Sequence, residues 1–228
     1  MKPTFLKTLV PERPRPVRIL SGPFRGASMI MSPRESLRFI FGLYEHELNN
    51  WISQALPRVD KVLDLGANAG YFTFGCAAAL RRLRKTAEIH AFEPDAHAID
   101  CLKENLAIQP PSQVSVHLHP LSVTGTDTEN SITLNSFARD KGSAFVQNAL
   151  VKIDVEGAEV EVINAASEWL NPTNYFVIEV HEDKSYLDIL RGTFANRNLT
   201  LNQINQQPLP IIGREGRGVN LWWLVSAL

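Results

Sequence analysis

The amino-acid sequence predicts an α/β protein: a doubly wound, mainly parallel sheet that ends in a C-terminal antiparallel hairpin. From residue 60 onward, short runs rich in Val, Ile and Leu alternate with helical stretches of about 10–15 residues, the pattern of βαβ units. The first of these runs enters a glycine turn, Gly66–Gly70, that leads directly into a helix. The last two runs flank a Pro/Gly-rich turn, which reads as a hairpin. With 228 residues, 44% hydrophobic and 21% charged, the chain can bury a full core without crosslinks.

Residues 1–31 form a basic, proline-rich arm. Lys2, Lys7, Arg13, Arg15, Arg18 and Arg25 face Glu12 alone, a net +5, so at an overall −1 the rest of the chain carries −6. Pro3, Pro11, Pro14, Pro16 and Pro23 make this arm extended and unlikely to pack by itself. It reads as a solvated arm lying across the domain, with contact to an acidic partner or membrane surface as the other reading. Its apolar stretch is short and broken by Lys7 and Pro11, which argues against a signal peptide. No run approaches the ~18 apolar residues of a membrane span.

Residues 32–57 predict a helical cover. Ser32-Pro33-Arg34-Glu35 reads as a capping box, and Leu37, Ile40, Phe41, Tyr44, Leu48, Trp51, Ile52 and Leu56 follow at helical spacing. Gly42 can divide this stretch, and Pro57 ends it. The main domain, residues 58–228, then predicts strands at Lys61–Leu65, Glu88–Phe92, Val114–Leu121, Leu150–Val155 and Tyr175–Val180. Helices are expected over Tyr71–Arg84, Ala96–Ile108, Glu159–Leu170 and Ser185–Arg197, and the closing strands around Leu199–Ile204 and Val219–Val225. Trp222 and Trp223 point to opposite faces, so at least one belongs to the core.

Sheets of this kind bind ligands beyond the carboxyl ends of their strands, and the chemistry-bearing residues collect there. In VLDLGANAG (62–70), Gly66 and Gly70 allow a tight turn and close ligand approach, but the loop lacks the G-x-G-x-x-G of nicotinamide enzymes. Asp64, just before the turn, would repel a pyrophosphate and suits a ligand with an ammonium and a sulfonium, as in S-adenosylmethionine. Glu93 ends the second strand, where an acid can accept hydrogen bonds from ribose hydroxyls. Asp95 reads as the cap of the next helix. On the fourth strand, period-two geometry places Asp154 and Glu156 on one face; on the fifth it pairs Glu179 with His181. Such groups can remove a hydroxyl proton or hold a hard cation.

The segments VLDLGANAGYFTF, AFEPD, VKIDVEGAE and IEVH, in this order, resemble FkbM-type methyltransferases, a class I S-adenosylmethionine-dependent group. The resemblance covers about residues 40–183. It implies a Rossmann-like, seven-stranded sheet with the last strand antiparallel, and methyl transfer to a hydroxyl of a sugar or secondary metabolite. Carried over by position, Asp64, Gly66, Asn68 and Gly70 would form the cofactor loop and Glu93 would take the ribose. Asp154 and Glu156 would sit near the methyl group and acceptor. His181 would be the base or acceptor-orienting group, with Glu45, after Gly42-Leu43-Tyr44, as a further candidate and an exposed helix acid as its plainer reading. One departure stands out. Such enzymes carry a longer stretch before the fourth strand, with a Thr-Leu-Asp element and a short helix, whereas Ser122–Ala149 shows a strand signal at Ser131–Leu134 and no clear helix. This keeps a second reading open, a cofactor-binding protein with reduced or no activity.

The remaining signals set bounds. A near-neutral chain with pI ≈ 6.6 is not a nucleic-acid-coating protein. Two cysteines, Cys76 and Cys101, read as small apolar helix residues and suggest a reducing, cytoplasmic setting. His117 and His119 share one face of the third strand, and the Gly213–Gly218 loop reads as a solvated hairpin turn. No metal requirement is expected, although Asp154, Glu156 and His181 have the chemistry to hold a cation.

Overall fold

A computed structural model describes residues 11–181, 184–205, 209 and 222–228. Lys2, Lys7, the Gly213–Gly218 loop and the start of the last expected strand lie outside the described residues. The strands are β1 (Arg15–Arg18), β2 (Ser28–Met31), β3 (Lys61–Leu65), β4 (Ala87–Phe92), β5 (Val114–His119), β6 (Ser122–Val123), β7 (Ser131–Ile132), β8 (Ala149–Ile153), β9 (Tyr175–Val180), β10 (Leu201–Ile204) and β11 (Trp222–Ser226). The helices are α1 (Leu37–Ile40), α2 (Asn49–Ala55), α3 (Tyr71–Arg82), α4 (Ala96–Ala107), α5 (Leu134–Ala138), α6 (Glu159–Asn164) and α7 (Ser185–Ala195).

Seven strands form one sheet in the order β10-β11-β9-β8-β3-β4-β5. All neighbours from β9 to β5 are parallel, and β11 runs antiparallel to both β9 and β10. This is the Rossmann-like, mainly parallel sheet with a C-terminal antiparallel hairpin that the sequence predicts. Strand alternation divides the core in two. Val62, Leu150 and Val177 join α3 and α4 on one face, whereas Leu63, Val151 and Ile178 join Trp169, Leu187 and Phe194 on the other. Trp223 is fully buried and Trp222 only partly. The order reverses between β3 and β8, which makes their carboxyl ends the switch point where a ligand crevice opens.

Several elements differ from the sequence reading, each for a tertiary reason. The Ser32 capping box does not form: the first helix starts only at Leu37, and the buried Ser32 hydroxyl makes no hydrogen bond among the described residues. Gly42, at φ +62°, breaks the stretch as expected, and Leu48 and Trp51 anchor the second part; the Trp51 indole donates to the Ser226 carbonyl at 2.8 Å. The helix after β8 ends at Asn164 instead of Leu170, because the chain turns to bury Trp169. Its indole donates to the Leu134 carbonyl at 3.0 Å. That contact holds α5, the short covering helix missing from the sequence reading. Thr133 caps it, accepting from the Ser136 amide at 3.1 Å, and Leu134 and Ala138 are buried. Five residues are too few for a visible helical period.

The arm also departs from a solvated strand. β1 and β2 pair as a hairpin, and Ile19, Phe24, Ala27 and Met29 enter the core. The Phe24 ring meets Tyr71 and Phe72 edge-on at 5.2 and 5.6 Å and lies over Gly75, where a Cβ would overlap it. The Ile30 amide donates to Asn105 Oδ1 at 2.6 Å, and Gln109 donates to the Ser28 carbonyl at 2.9 Å. Phe24→Ala should therefore cost about 3–5 kcal/mol in urea unfolding, and Gly75→Val should destabilise in the same direction.

Candidate functional site

The loop after β3 is shaped by three left-handed residues, Gly66 (φ +81°), Asn68 (φ +47°) and Gly70 (φ +91°). The Gly66 and Ala67 amides both donate to the Phe92 carbonyl at 3.0 Å, tying the loop to the end of β4. A Cβ on Gly66 would overlap the Asp154 carbonyl, so the ends of β3 and β8 approach as closely as glycine permits. One on Gly70 would press into Phe74 and Leu102, so that glycine serves helix packing.

A cavity of about 620 Å³ opens beside this loop, with Gly66, Asn68, Glu93, Asp154 and Glu156 in its wall. Glu93 is nearly buried; its carboxylate accepts the Asn68 amide at 2.8 Å and the Asp95 amide at 2.9 Å. Asp95 caps α4 by accepting from Ala98 at 2.8 Å, as expected. Asp64 does not reach the wall, which corrects its reading as a direct ligand contact. It is fully buried behind the loop, where Oδ2 accepts the Thr73 hydroxyl at 2.5 Å and Oδ1 lies 3.8 Å from Lys152 Nζ. Burial pushes its carboxyl up, against the pull of Lys152 and Thr73.

Lys152 is the central residue that sequence reasoning missed. It pairs with Asp64 across β3 and β8, and its ammonium donates to Asp154 Oδ2 at 2.8 Å. Burial disfavours its charge, but Asp154, Asp64 and Glu45 outweigh that and hold it as a cation. The period-two rule that singled out Asp154 also places Lys152 on its face.

Asp154 joins this group to the end of β9. His181 Nε2 lies 3.3 Å from Asp154 Oδ1, and Nδ1 donates to Glu159 Oε1 at 2.8 Å. Glu159 is fully buried at the start of α6; Oε1 also accepts the Gly157 amide at 2.9 Å, and Oε2 has no hydrogen bond among the described residues. Burial lowers the His181 pKa, but the hydrogen bond to Glu159 and the charges of Glu179, Asp154 and Glu159 more than offset it, and the net shift is upward. Glu179 is buried, and its ligand atom lies within 4.8 Å of those of Asp154 and His181. The three could hold a cation, yet the Lys152 ammonium already supplies positive charge beside Asp154. Glu156 stands apart. β8 ends at Ile153, so the period-two rule does not extend to Glu156, which is exposed at φ +51°.

A second cavity, about 160 Å³, shares Gly66, Asn68 and Asp154 with the first. Phe39, Tyr44 and Tyr71 line its far side, with ring centroids 4.2–5.4 Å apart. Glu45 lines it too, buried in a left-handed turn, which corrects its reading as an exposed helix acid. His117 and His119 do share a face, but they stack with His90 in the sheet, where His90 Nδ1 meets His119 Nε2 at 3.1 Å. Burial and neighbouring cations pull His90 and His119 down to about 3 and about 4, so both are neutral at pH 7. Lys152→Met should destabilise the protein by about 3–5 kcal/mol in urea unfolding, because Asp64 and Asp154 lose their cation. Adding Asp64→Asn should recover part of that loss.

Comparison with known proteins places this arrangement. Residues 110–199 match the family described as the methyltransferase FkbM domain. The hexuronic acid methyltransferase AglP of Haloferax volcanii is 26% identical over 175 residues, covering 68% of this chain and 70% of that protein. The crystal structure of methyltransferase FkbM from Methylobacillus flagellatus superimposes with a TM-score of 0.53 at 15% identity, over 75% of this chain and 44% of that one. The match thus spans less than half of that chain, and the likeness is one of fold. The matched family segment holds Asp154, Glu159 and His181, so this part of the chain is similar to the methyltransferase FkbM domain.

Proposed function

We propose that the protein is an O-methyltransferase that uses S-adenosylmethionine to methylate a hydroxyl of a sugar or sugar-like secondary metabolite. The observation that carries this reading is the His181 imidazole, oriented by buried Glu159 through Nδ1 and directed through Nε2 at Asp154. Asp154 lines both cavities.

The residues fit this cofactor. The larger cavity lies at the switch point, has Glu93 at a strand tip to accept ribose hydroxyls, and among the described residues has no lysine or arginine in its wall to take a pyrophosphate. Bound there, S-adenosylmethionine supplies a methyl carbon already activated by its sulfonium. Gly66 and Asn68 form the loop against which it would rest, and Asp64 keeps Lys152 in place behind them. The smaller cavity suits the acceptor, because Phe39, Tyr44 and Tyr71 offer aromatic surface to the apolar face of a sugar ring. AglP acts on a hexuronic acid, which makes hexuronic acid glycosides the first acceptors to assay.

In this reading His181 takes the acceptor's proton on Nε2, and Glu159 holds the ring and offsets the charge that forms. Asp154 shares Lys152's charge and stabilises the imidazolium once Nε2 carries the acceptor's proton. Alignment supplies most of the rate, and the base adds about 10²–10⁴-fold. The covering helix α5 supports activity over the reduced-activity alternative. The free thiols of Cys76 and Cys101 fit a cytoplasmic setting.

His181→Ala and Asp154→Ala should lower kcat while calorimetry with S-adenosylhomocysteine still shows binding; full activity in both variants refutes the roles of these two residues. Gly66→Ala should instead weaken that binding more than about tenfold. His181 must be neutral to accept a proton, so its raised pKa moves the acid limb of kcat to higher pH than a free imidazole would give. Glu159→Gln removes one charge that raises it, and the limb should move to lower pH as kcat falls. A chelator should leave turnover unchanged.

A further inference from the structure

A second basin lies at the opposite rim of the sheet. α3 starts at the carboxyl rim and runs 12 residues, about 18 Å, so its last turn reaches the amino rim. There Arg81 and Arg82 meet Arg18 and Arg25 of the hairpin around a cavity of about 630 Å³, with Ile19 and Leu20 also in its wall. No aspartate or glutamate among the described residues lines it. Among the described residues, none of the four arginines forms an ion pair.

Their bonding divides them into two kinds. Arg82 is structural: its guanidinium donates to the Pro23 carbonyl at 2.6 Å and to the Arg25 carbonyl, clipping the hairpin to α3. Arg81 uses one N–H on Gln109 Oε1 at 3.3 Å. The side chains of Arg18 and Arg25 are exposed and make no hydrogen bond among the described residues; that of Arg18 lies beside Gly26. Burial and the charge of Arg25 pull the Arg82 pKa down, and burial and Arg82 do the same to Arg81. The fold thus gathers like charges that repel one another, and hydrophobic packing of Ile19 and Phe24 holds them together. Two of the arm's basic residues, Arg18 and Arg25, fall on this basin.

We propose that this basin binds the phosphate group of a ligand, presented on a free phosphorylated metabolite or on a lipid headgroup. Forked guanidinium groups match phosphate oxygens in geometry as well as charge. A bound dianion would offset the repulsion within the cluster. Leu20, 53% exposed on the lip, gives a bilayer an apolar foothold beside Arg18.

The test uses the full chain and two probes: calorimetry with inorganic pyrophosphate, and flotation with phosphatidylcholine vesicles with or without phosphatidic acid. Pyrophosphate binding without flotation assigns a free ligand. Flotation that requires phosphatidic acid assigns a headgroup. In either arm, Arg18→Glu/Arg25→Glu should weaken binding about tenfold or more with an unchanged urea midpoint. Arg18→Gln/Arg25→Gln should give a smaller loss in the same direction and serves if the reversal unfolds the hairpin. No binding in both arms, or binding that these substitutions leave unchanged, overturns the proposal.

Discussion

A buried lysine shared by two aspartates holds the site together. Lys152 stands opposite Asp64 across the β3–β8 pair and reaches forward to Asp154, at the one place where the sheet order reverses. Burying an ammonium is costly unless it is paired and hydrogen-bonded. Here it gains Asp154 at 2.8 Å and the field of Asp64 at 3.8 Å. In return it fixes where Asp154 points, and through Asp154 the position of His181. The glycine at 66 belongs to the same constraint, since any side chain there would separate the strand ends that the lysine bridges.

From this junction the two rims of the sheet diverge in character. The carboxyl rim is acidic, with Glu93, Asp154, Glu159 and Glu179 on strand ends or helix starts, the first three each tied into a hydrogen bond or ion pair. The amino rim is basic and built from the hairpin and the end of α3. An overall charge of −1 averages these two surfaces. One helix connects them: α3 starts beside the glycine loop, carries the Thr73 hydroxyl that holds Asp64, presents Gly75 to the hairpin and ends in the arginines.

Much of this was legible in the sequence where a local rule applies. The period-two and helical patterns located β3, β4, β9, α3 and α4 to within a residue or two, because strands covered on both faces read as apolar runs and long helices repeat their stripe several times. The turn at Gly66 and the Asp95 cap were legible because each borders a strand or a helix, positions whose geometry restricts residue choice. The local rules failed on short elements. The five residues of α5 have no period to detect, and the Ser32 cap satisfied a pattern without the helix it should begin. They also failed on polar residues inside strands. Lys152 reads as an ordinary polar strand residue until its cross-strand partner is known, and Glu159 reads as a first-turn acid until His181 is seen to fold onto it.

The sequence by itself determined the class of fold, the strand ends that carry chemistry and the family resemblance, all of which depend on neighbours along the chain. Only the tertiary structure decided which of those residues act together. It withdrew Asp64 from the cavity wall, put Glu156 beyond the strand so that it shares a cavity wall but no strand face with Asp154, brought Glu45 inward and united Lys152, Asp154, His181 and Glu159. It also converted a proline-rich arm into a packed hairpin and gathered four arginines at the rim opposite the site. The physical reason is the same in each case. Burial and Coulombic pairing are set by distance in space, and residues well separated along the chain, such as Asp64 and Thr73 or Asp154 and His181, become neighbours only once the sheet has set its order.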